Sequence, residues 1–387
     1  MNKIFFKIGL SIVAILVLAM PFCAFAETAI PPKIENGSIV KSSVAGVKYL
    51  IVDGKKWRIA TGFTFNQLIL KGQKVQIISK EELATIPDGE VLKLSKPKIS
   101  GIIDMHEHIR AGANIEFYNG VVRGLGIVKT LFVPTGEGPN NKGYEKHTKA
   151  LFDAYKKYPK SIIPFCSADE KDPTAPVKFE KCLKDGGKGL KLMSGHPNFY
   201  TAPVDSDIMK SLFAVADKNN VPVIIHVSVH TTPSMKAEFM RLMDTTPNLT
   251  LQFAHYCSTI YDAPYLEVCE EFLDKYPNLY FDTAMGGGLP RYMKQFSKDV
   301  TKIRDFILKY QDRVVYGTDF IITGGSSQTP EWIRNRMMCD FSFLQEKWFR
   351  CPSGQEGQYA LLPGLALPQD VLKKIFVENP KKYLKLD

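Results

Sequence analysis

Residues 102–109 have the sequence Ile-Ile-Asp-Met-His-Glu-His-Ile, an apolar run that ends with two histidines. The run predicts a β-strand, and because successive side chains of a strand point to opposite faces, His106 and His108 should point the same way. Two neighbouring imidazoles at a strand end can form half of a metal site. A pair of polar residues that merely terminates a strand would have the same sequence, so the remainder of the chain decides between the two interpretations.

Apolar runs alternate with amphipathic stretches from Pro97 onward. We predict strands at residues 99–106, 127–134, 161–167, 189–193, 222–228, 249–256, 279–283 and 313–319. Alternating strands and helices indicate an α/β fold, and eight such units in about 290 residues favour a (β/α)8 TIM barrel, whose active site lies at the C-terminal strand ends. An open doubly wound sheet is the alternative, although no Gly-x-Gly-x-x-Gly follows a strand to support a dinucleotide site.

Six residues with metal-binding or proton-transfer chemistry lie on these strands or at their ends: His106, His108, Lys191, His226, His255 and Asp319. The C-terminal ends of barrel strands meet at one mouth, so these side chains should converge. Three neutral imidazoles and a carboxylate suit Zn²⁺, which would lower the pKa of a bound water towards neutrality. Asp319 could contact the metal and also act as general base, and His255 could bond the substrate carbonyl or protonate a leaving group. Taken singly, His226 or His255 is more commonly a core histidine bonded to the backbone, and only their joint placement favours a site.

Residues 97–387 contain a series of short motifs that match those of a known family in the same order. They are 104–108 (Asp-Met-His-Glu-His), 189–192 (Gly-Leu-Lys-Leu) with Pro197 and Tyr200, 222–226 (Pro-Val-Ile-Ile-His), 254–255 (Ala-His), 278–283 (Asn-Leu-Tyr-Phe-Asp-Thr), 316–319 (Tyr-Gly-Thr-Asp) and 378–380 (Glu-Asn-Pro). On these motifs the chain resembles the amidohydrolase superfamily, specifically the amidohydrolase-related branch that includes aminocarboxymuconate-semialdehyde decarboxylase.

The resemblance implies one divalent metal, Zn²⁺ or alternatively Mn²⁺. Its ligands would be His106, His108, His226 and Asp319, with His255 beside it. In binuclear relatives a lysine on the fourth strand is carbamylated and bridges two metals. In this branch the lysine usually does not, so we expect a binuclear site only if Lys191 is carbamylated.

Four further residues are candidates for substrate binding. His196 and His230 lie just past the fourth and fifth strands and could line the pocket, although loop histidines are usually solvated. Arg110 and Arg291 could receive a substrate carboxylate, although ordinary surface ion pairs explain them equally simply. Cys257 shares a predicted strand face with His255, and we expect it to be a buried structural thiol.

Residues 1–26 have the features of a secretory signal, with Lys3 and Lys7 before an apolar centre and Ala24-Phe25-Ala26 as the cleavage site. An uncleaved anchor is the alternative, but the apolar run is short for a bilayer span. We therefore expect export to the periplasm or the exterior. The net charge of +10 is not concentrated in a basic cluster, so it could attract anionic substrates but does not indicate nucleic-acid binding.

Residues 27–95 should form a small β-rich module before the barrel of residues 96–387. A hairpin is predicted around Asp53-Gly54, a helix at 63–70 and a third strand at 74–78. The module could attach the protein to the envelope or pack against the barrel. Six cysteines follow the leader and allow 15 pairings, of which Cys339 with Cys351 is the most plausible.

These patterns favour an exported metal-dependent hydrolase acting on a carboxylic ester, lactone or amide of a small substrate, and the positive net charge is compatible with an anionic one. The first alternative is a nonoxidative decarboxylase of a small aromatic or muconate-like acid, which would need a cation for the leaving carboxylate and a proton donor for the carbanion. The second is a non-catalytic envelope binding protein. The complete set of metal ligands argues against it, because a protein that only binds a partner does not need them. Residues 323–367 are rich in aromatics and could form a lid, a homo-oligomer contact or a packed subdomain.

Overall fold

A computed structural model of the protein describes residues 34–35, 37–42, 46–52, 54–58, 75–89, 96–135, 143–196, 199–200, 202–228, 233–257, 266–286, 296, 299–325, 328–352 and 359–386. The predicted signal at residues 1–26 and the predicted helix at 63–70 lie outside these residues. The statements below about elements, contacts and clusters refer to the described residues.

A four-stranded sheet precedes the larger part of the fold. Its strands are β1 (Ile39–Ser42), β2 (Lys48–Val52), β3 (Lys55–Arg58) and β4 (Val75–Ile78), in the order β3-β2-β1-β4. The predicted hairpin is confirmed, because β2 and β3 pair antiparallel. A helix, α1 (Lys80–Thr85), follows a capping box in which Ser79 and Glu82 satisfy each other's backbone N–H groups. On one face of the sheet, Leu50 and Trp57 are buried against Trp348 from the C-terminal part of the chain.

The strands that follow are parallel. They are β5 (Ile102–Ile109), β6 (Ile127–Pro134), β7 (Ile162–Pro164), β8 (Cys166–Ser167), β9 (Leu190–Gly195), β10 (Val223–Val227), β11 (Leu251–Phe253), β12 (Leu279–Asp282), β13 (Val314–Val315) and β14 (Ile321–Ile322). The orders are β14-β5-β6-β7 in one sheet and β13-β12-β11-β10-β9-β8 in the other. Strands such as β5 and β12 are buried along their whole length, as parallel strands covered on both faces should be.

The predicted closed barrel is replaced by these two sheets, because the third and eighth predicted strands each change partner part-way. Phe165 donates its N–H to Phe132 of β6, whereas the next N–H, of Cys166, goes to Gly189 beside β9. At the other junction β13 pairs with β12 and β14 pairs with β5, and residues 316–320 cross between them. The prediction of a parallel α/β fold is correct, and that of one closed ladder of eight strands is not.

Helices alternate with the strands and bury their apolar faces against them. They are α2 (Ile115–Arg123), α3 (Tyr144–Lys157), α4 (Ala175–Lys184), α5 (Asp207–Lys218), α6 (Pro233–Thr245), α7 (Leu266–Lys275), α8 (Val300–Lys309), α9 (Pro330–Gln345), α10 (Gln369–Lys373) and α11 (Asn379–Leu384), with a 3₁₀ turn at Gln311–Arg313 and a π-helical turn at Lys374–Glu378. In the part of the chain that the structure describes, none of the helices combines the length and hydropathy needed to cross a bilayer.

The aromatic segment near the C-terminus is packed into the fold. It contains α9 and a hairpin of β15 (Trp348–Pro352) with β16 (Tyr359–Pro363), and Phe341 and Phe343 belong to the main core. Disulfides join Cys166 to Cys182, Cys257 to Cys269 and Cys339 to Cys351. The last pair confirms the prediction. The expected free thiol at Cys257 is wrong, because α7 brings Cys269 to a Cα–Cα distance of 5.9 Å.

Candidate metal centre

β5 carries His106 and His108 into the interior, where both rings are buried. The strand continues past His106 to Ile109, so the prediction that it ends at residue 106 is wrong. The Nε2 atoms of the two histidines lie 3.4 and 3.0 Å from the same oxygen, Oδ1 of Asp319. One ligand atom from each of the three residues lies within 4.8 Å of the other two. Two imidazole nitrogens and a carboxylate oxygen at this spacing can bind a divalent cation such as zinc.

Asp319 reaches this position through an unusual backbone conformation. Its φ angle is +56°, in the left-handed region, which costs a non-glycine residue roughly 1–2 kcal/mol. Its N–H donates to the carbonyl oxygen of His106 at 2.6 Å, so the residue is held against β5. Gly286 also lies against Asp319, so closely that a Cβ atom added to Gly286 would be 2.5 Å from Oδ2 of Asp319. A strained residue that is fixed by such contacts is typical of a functional site.

His255 lies in a left-handed turn that directly follows β11. His255, Tyr256 and Cys257 have φ angles of 60°, 52° and 57°, so the strand predicted to run to residue 256 ends at Phe253. The ring Nδ1 lies 3.2 Å from the carbonyl oxygen of Ala284, which can only accept a hydrogen bond. Nδ1 therefore carries the proton, and the lone pair of Nε2 faces the site, 3.9 Å from Oδ2 of Asp319.

Asp282, at the end of β12, holds two of the histidines. Its Oδ2 accepts hydrogen bonds from Nδ1 of His106 at 2.9 Å and Nε2 of Gln252 at 2.7 Å. Its Oδ1 accepts from the backbone N–H groups of His255 at 2.8 Å and Ala284 at 3.0 Å. Burial alone would raise the pKa of Asp282, but the neighbouring His106 and His255 lower it to about 2. The carboxylate thus keeps the proton of His106 on Nδ1 and leaves Nε2 available for a metal.

Sequence reasoning quoted Asp282 within a family motif but did not identify it as a site residue. Its position in the sequence could have identified it, because Asp282 ends a predicted buried strand, as the other candidate residues do. A second compact group of ligand atoms comprises His106, His255 and Asp282. Since Nδ1 of His106 already bonds Asp282, this group orients the imidazoles rather than competing for the cation.

Lys191 lies on β9 and is almost fully buried. Its Nζ is 2.7 Å from Nε2 of His106, the same nitrogen that faces Asp319. Burial, followed by the charge of Lys191, lowers the pKa of His106 to about 4, so the ring is neutral at physiological pH. A neutral ring with its proton on Nδ1 presents a lone pair at Nε2, as a metal ligand must.

His226, on β10, is buried between two other imidazoles. Its ring centroid lies 4.7 Å from that of His255 and 4.5 Å from that of His196. Burial, and then the charges of these two neighbours, lowers the pKa of His226 well below its usual value. Its Nε2 has no hydrogen-bond partner among the described residues. A buried, neutral imidazole nitrogen without a partner is a second indication of a cation, although His226 belongs to neither compact group of ligand atoms.

The donor set therefore fits a divalent cation. His106 and His226 are neutral, and the carboxyl group of Asp319 is ionised, because His106 and His255 hold its pKa well below the usual value against the opposing effect of burial. Imidazole nitrogens with one carboxylate oxygen suit zinc and iron better than calcium or magnesium, which prefer all-oxygen sites.

A layer of buried acids supports the metal-site residues from behind. Thr318 Oγ1 lies 2.7 Å from Oδ2 of Asp104 and 2.6 Å from Oε1 of Glu107. A hydroxyl donates one proton only, so one of the two acids must itself be protonated. Burial raises the pKa of Asp104 to about 7 and that of Glu107 well above its usual value, which satisfies this condition. Oδ1 of Asp104 also accepts the N–H of His106, and the layer thereby fixes β5 against the segment that carries Asp319.

The predicted substrate-binding residues are placed differently from one another. His196 is half-buried and contacts His226, so it lies beside the site. Arg110 is exposed just beyond the end of β5, and its described contacts do not bring it to the metal-site residues. His230 and Arg291 lie outside the described residues.

A family model described as amidohydrolase matches residues 103–386. A probable 2-pyrone-4,6-dicarboxylic acid hydrolase from Acinetobacter baumannii, solved with citric acid bound, is similar with 11% identity over 74% of this chain and 100% of that chain, at a TM-score of 0.52. A 2,6-dihydroxybenzoate decarboxylase from Rhizobium matches with 13% identity over 74% and 99%, at a TM-score of 0.48. None of the curated proteins matches the chain.

Proposed function

The chain belongs to the amidohydrolase family, and we propose that it is an exported, metal-dependent hydrolase of a carboxylic ester, lactone or amide. The observation that carries the proposal is the approach of His106 Nε2 and His108 Nε2 to one oxygen of Asp319. Family membership supports an enzyme of the amidohydrolase superfamily. Hydrolysis as its reaction is our addition.

We assign His106, His108, His226 and Asp319 as ligands of a single cation, Zn²⁺ in the first instance and Mn²⁺ as the alternative. When bound, the cation supplies Lewis acidity that lowers the pKa of a water and polarises a carbonyl group. Carbamylation of Lys191 would be needed for a second cation. Nζ of Lys191 lies 2.7 Å from Nε2 of His106, and we propose an unmodified lysine and one cation per chain.

Asp319 and His255 divide the proton transfers between them. Asp319 directs Oδ1 towards the two β5 histidines and Oδ2 towards Gly286 and His255, so Oδ2 can take the proton of the attacking water. Nε2 of His255 faces the same space with its lone pair, so it can accept the proton that Asp319 takes from the water and pass it to the leaving group. The hydrogen bond from Nδ1 to Ala284 keeps the ring in the tautomer that this exchange needs.

A small anionic substrate fits the charges of the site. Lys191 places a buried positive charge beside His106, and the chain as a whole carries +10. The positive charge of Lys191 lies next to the proposed cation site and favours an anionic oxygen there. The Acinetobacter relative is described as a 2-pyrone-4,6-dicarboxylic acid hydrolase with citric acid bound. A lactone that carries carboxylates combines the bond and the charge that we propose.

A nonoxidative decarboxylase is the second candidate. The specific observation in its favour is again the buried positive charge of Lys191, which could attract the substrate carboxylate that leaves as CO₂. His255 could protonate the carbanion after its Nε2 has taken up a proton. Arg110, which was expected to serve such a carboxylate, is exposed. Hydrolysis remains our first candidate, because a carboxylate beside the proposed cation supports a general-base role for Asp319.

The disulfide bonds support the part of the proposal that concerns export. The six that follow residue 26 pair into three disulfides, and disulfides persist in oxidising compartments such as the periplasm. The contact of Trp348 with the core of the N-terminal sheet supports a packing role for residues 27–95. The domain boundaries, attachment to the envelope and homo-oligomer formation stay predictions.

Elemental analysis combined with a substrate screen tests the function. We expect about one zinc or manganese per chain, with hydrolysis of carboxylated lactones or esters that is lost on chelation and restored by metal. Lys191→Met should leave the metal content unchanged and raise KM for anionic substrates more than for neutral ones. About two metals per chain, halved in Lys191→Met, would indicate a carbamylated bridge instead.

The screen also separates the candidate reactions. Release of CO₂ from hydroxylated benzoates without hydrolysis of any ester would establish the decarboxylase in place of the hydrolase. A protein that retains no metal after reconstitution would contradict both enzymatic proposals and favour a non-catalytic binding protein.

A further inference from the structure

The left-handed turn that carries His255 consists of three consecutive non-glycine residues with positive φ angles. Single residues of this kind are uncommon, and a run of three returns to ordinary backbone angles unless its surroundings hold it. The contacts at each end of the turn therefore decide where the imidazole of His255 lies.

Two hydrogen bonds hold the beginning of the turn. The N–H of His255 donates to Oδ1 of Asp282 at 2.8 Å, and its Nδ1 donates to the carbonyl oxygen of Ala284 at 3.2 Å. Both bonds fix the residue itself, but neither fixes the two residues that follow. Tyr256 is buried, and its ring packs against those of Phe281 and Phe296, with centroid distances of 6.4 and 4.8 Å.

A covalent bond holds the end of the turn. Cys257 is joined to Cys269, which is buried on α7 among the residues of the main core. Because α7 is packed against β12, the disulfide connects the turn to a rigid element. The His255 backbone is thus fixed between the carboxylate of Asp282 on one side and a cross-link two residues away on the other.

We propose that Cys257 and Cys269 are positioning residues for His255. Their disulfide keeps residues 255–257 in the left-handed turn, so that Nδ1 of His255 donates to Ala284 and Nε2 faces Asp319. Without it, the turn relaxes, the bond from Nδ1 to Ala284 is lost for part of the time and the ring exchanges between tautomers. The inference rests on the proposed function only for the catalytic role of His255.

The chain offers a matched control for this pair. Cys339 and Cys351 are also separated by 12 residues, so the chain-entropy effect of removing either disulfide should be the same. The control pair joins α9 to β15, and the described contacts place neither cysteine beside the metal-site residues. If C257A/C269A and C339A/C351A differ in the state of His255, the cause is therefore the location of the first disulfide next to His255 and not the loss of a cross-link in general.

The direct measurement is the tautomer of His255 from the ring nitrogen shifts of ¹⁵N-labelled protein, assigned by the signals lost in H255Q. We expect the Nδ1–H tautomer in the wild type and in C339A/C351A, and averaged shifts in C257A/C269A. This readout does not require turnover, so it tests the inference even if the proposed reaction is wrong. Equal His255 spectra in both double variants would overturn the inference.

Kinetics and a rescue variant complete the test. With a substrate in hand, kcat should fall about 10²-fold in C257A/C269A, as for a misplaced catalytic group, while KM and the metal content stay close to those of the control. C257G/C269A should recover most of the tautomer signal and of kcat, because glycine adopts positive φ without strain. A general folding defect would not be rescued by glycine, so failure of this rescue, like an unchanged kcat in C257A/C269A, would contradict the positioning role.

Discussion

Replacing Asp282 by asparagine should change the tautomer of His106. The amide has one oxygen and one NH₂ group, and the two backbone N–H groups at Oδ1, those of His255 and Ala284, require the oxygen there. The NH₂ group must then occupy the position of Oδ2, opposite His106 Nδ1 and Gln252 Nε2. Gln252 can turn its amide to accept, since its own Oε1 has no partner among the described residues. His106 can accept only by moving its proton to Nε2, which removes the lone pair that we assign to the metal.

The expected loss of metal-binding free energy and the expected loss of folding free energy are of similar size. Loss of such an orienting partner typically lowers metal affinity about 10- to 100-fold, which corresponds to about 1.4–2.7 kcal/mol. The fold loses one charge-assisted hydrogen bond out of four at this carboxylate, about 1.5–3 kcal/mol of the free energy of unfolding. The protein should therefore still fold at room temperature.

The assay is a competition titration with a metal chelator, read by elemental analysis, together with thermal unfolding. Asp340→Asn is the control, because burial raises the pKa of Asp340 well above its usual value and the amide replaces a neutral acid. We expect wild-type metal affinity for Asp340→Asn. A metal affinity for Asp282→Asn within about threefold of the wild type would refute the reasoning, since the wrong tautomer cannot bind equally well.

Three further results are expected. His106→Ala should abolish metal retention, whereas His255→Ala should keep the metal and lower kcat about 10²- to 10⁴-fold. Release of the metal from His255→Ala would show that the roles we assign to the two histidines are wrong. Gly286→Ala should weaken metal binding, because the added Cβ would press on Asp319. Gly101→Ala is the control, because Gly101 also has a positive φ but no atom lies within 4 Å of its added Cβ, so this change should only lower the melting temperature. Equal metal content in the two variants would contradict this prediction. Removing a disulfide with a 12-residue separation should lower the free energy of unfolding by about 3 kcal/mol, measured by denaturant titration, and no change would argue against that bridge.

Much of the fold was predictable because periodicity and burial are local properties. Uninterrupted apolar runs predicted strands close to β6 and β12, and amphipathic stretches between the predicted strands form helices such as α3 and α8. The convergence of His106, His108 and Asp319 was also predictable, because parallel strands bring their C-terminal ends to one side of a sheet. The pairing of Cys339 with Cys351 was predicted because both lie in the long segment after the last predicted strand.

Other features depend on contacts between distant parts of the chain. The change of partner at Phe165 has no local signal, since residues 161–167 form one apolar run that would suit a single strand. The left-handed turn at His255 contradicts the propensity of its own sequence and exists because Asp282 and Cys269 hold it. Local patterns cannot predict such a conformation, because its strain is offset by residues from other elements.

By itself, then, the sequence determined which strands and helices form and which histidines and carboxylates share one end of the sheet, because alternation and strand-end position are encoded residue by residue. Only the tertiary structure decided the chemical state of those groups. Asp282, about 175 residues from His106 in the chain, fixes the proton on its ring, and Lys191 contacts the opposite nitrogen. Proton positions depend on contacts of a few ångströms, and such contacts are set by packing rather than by sequence pattern.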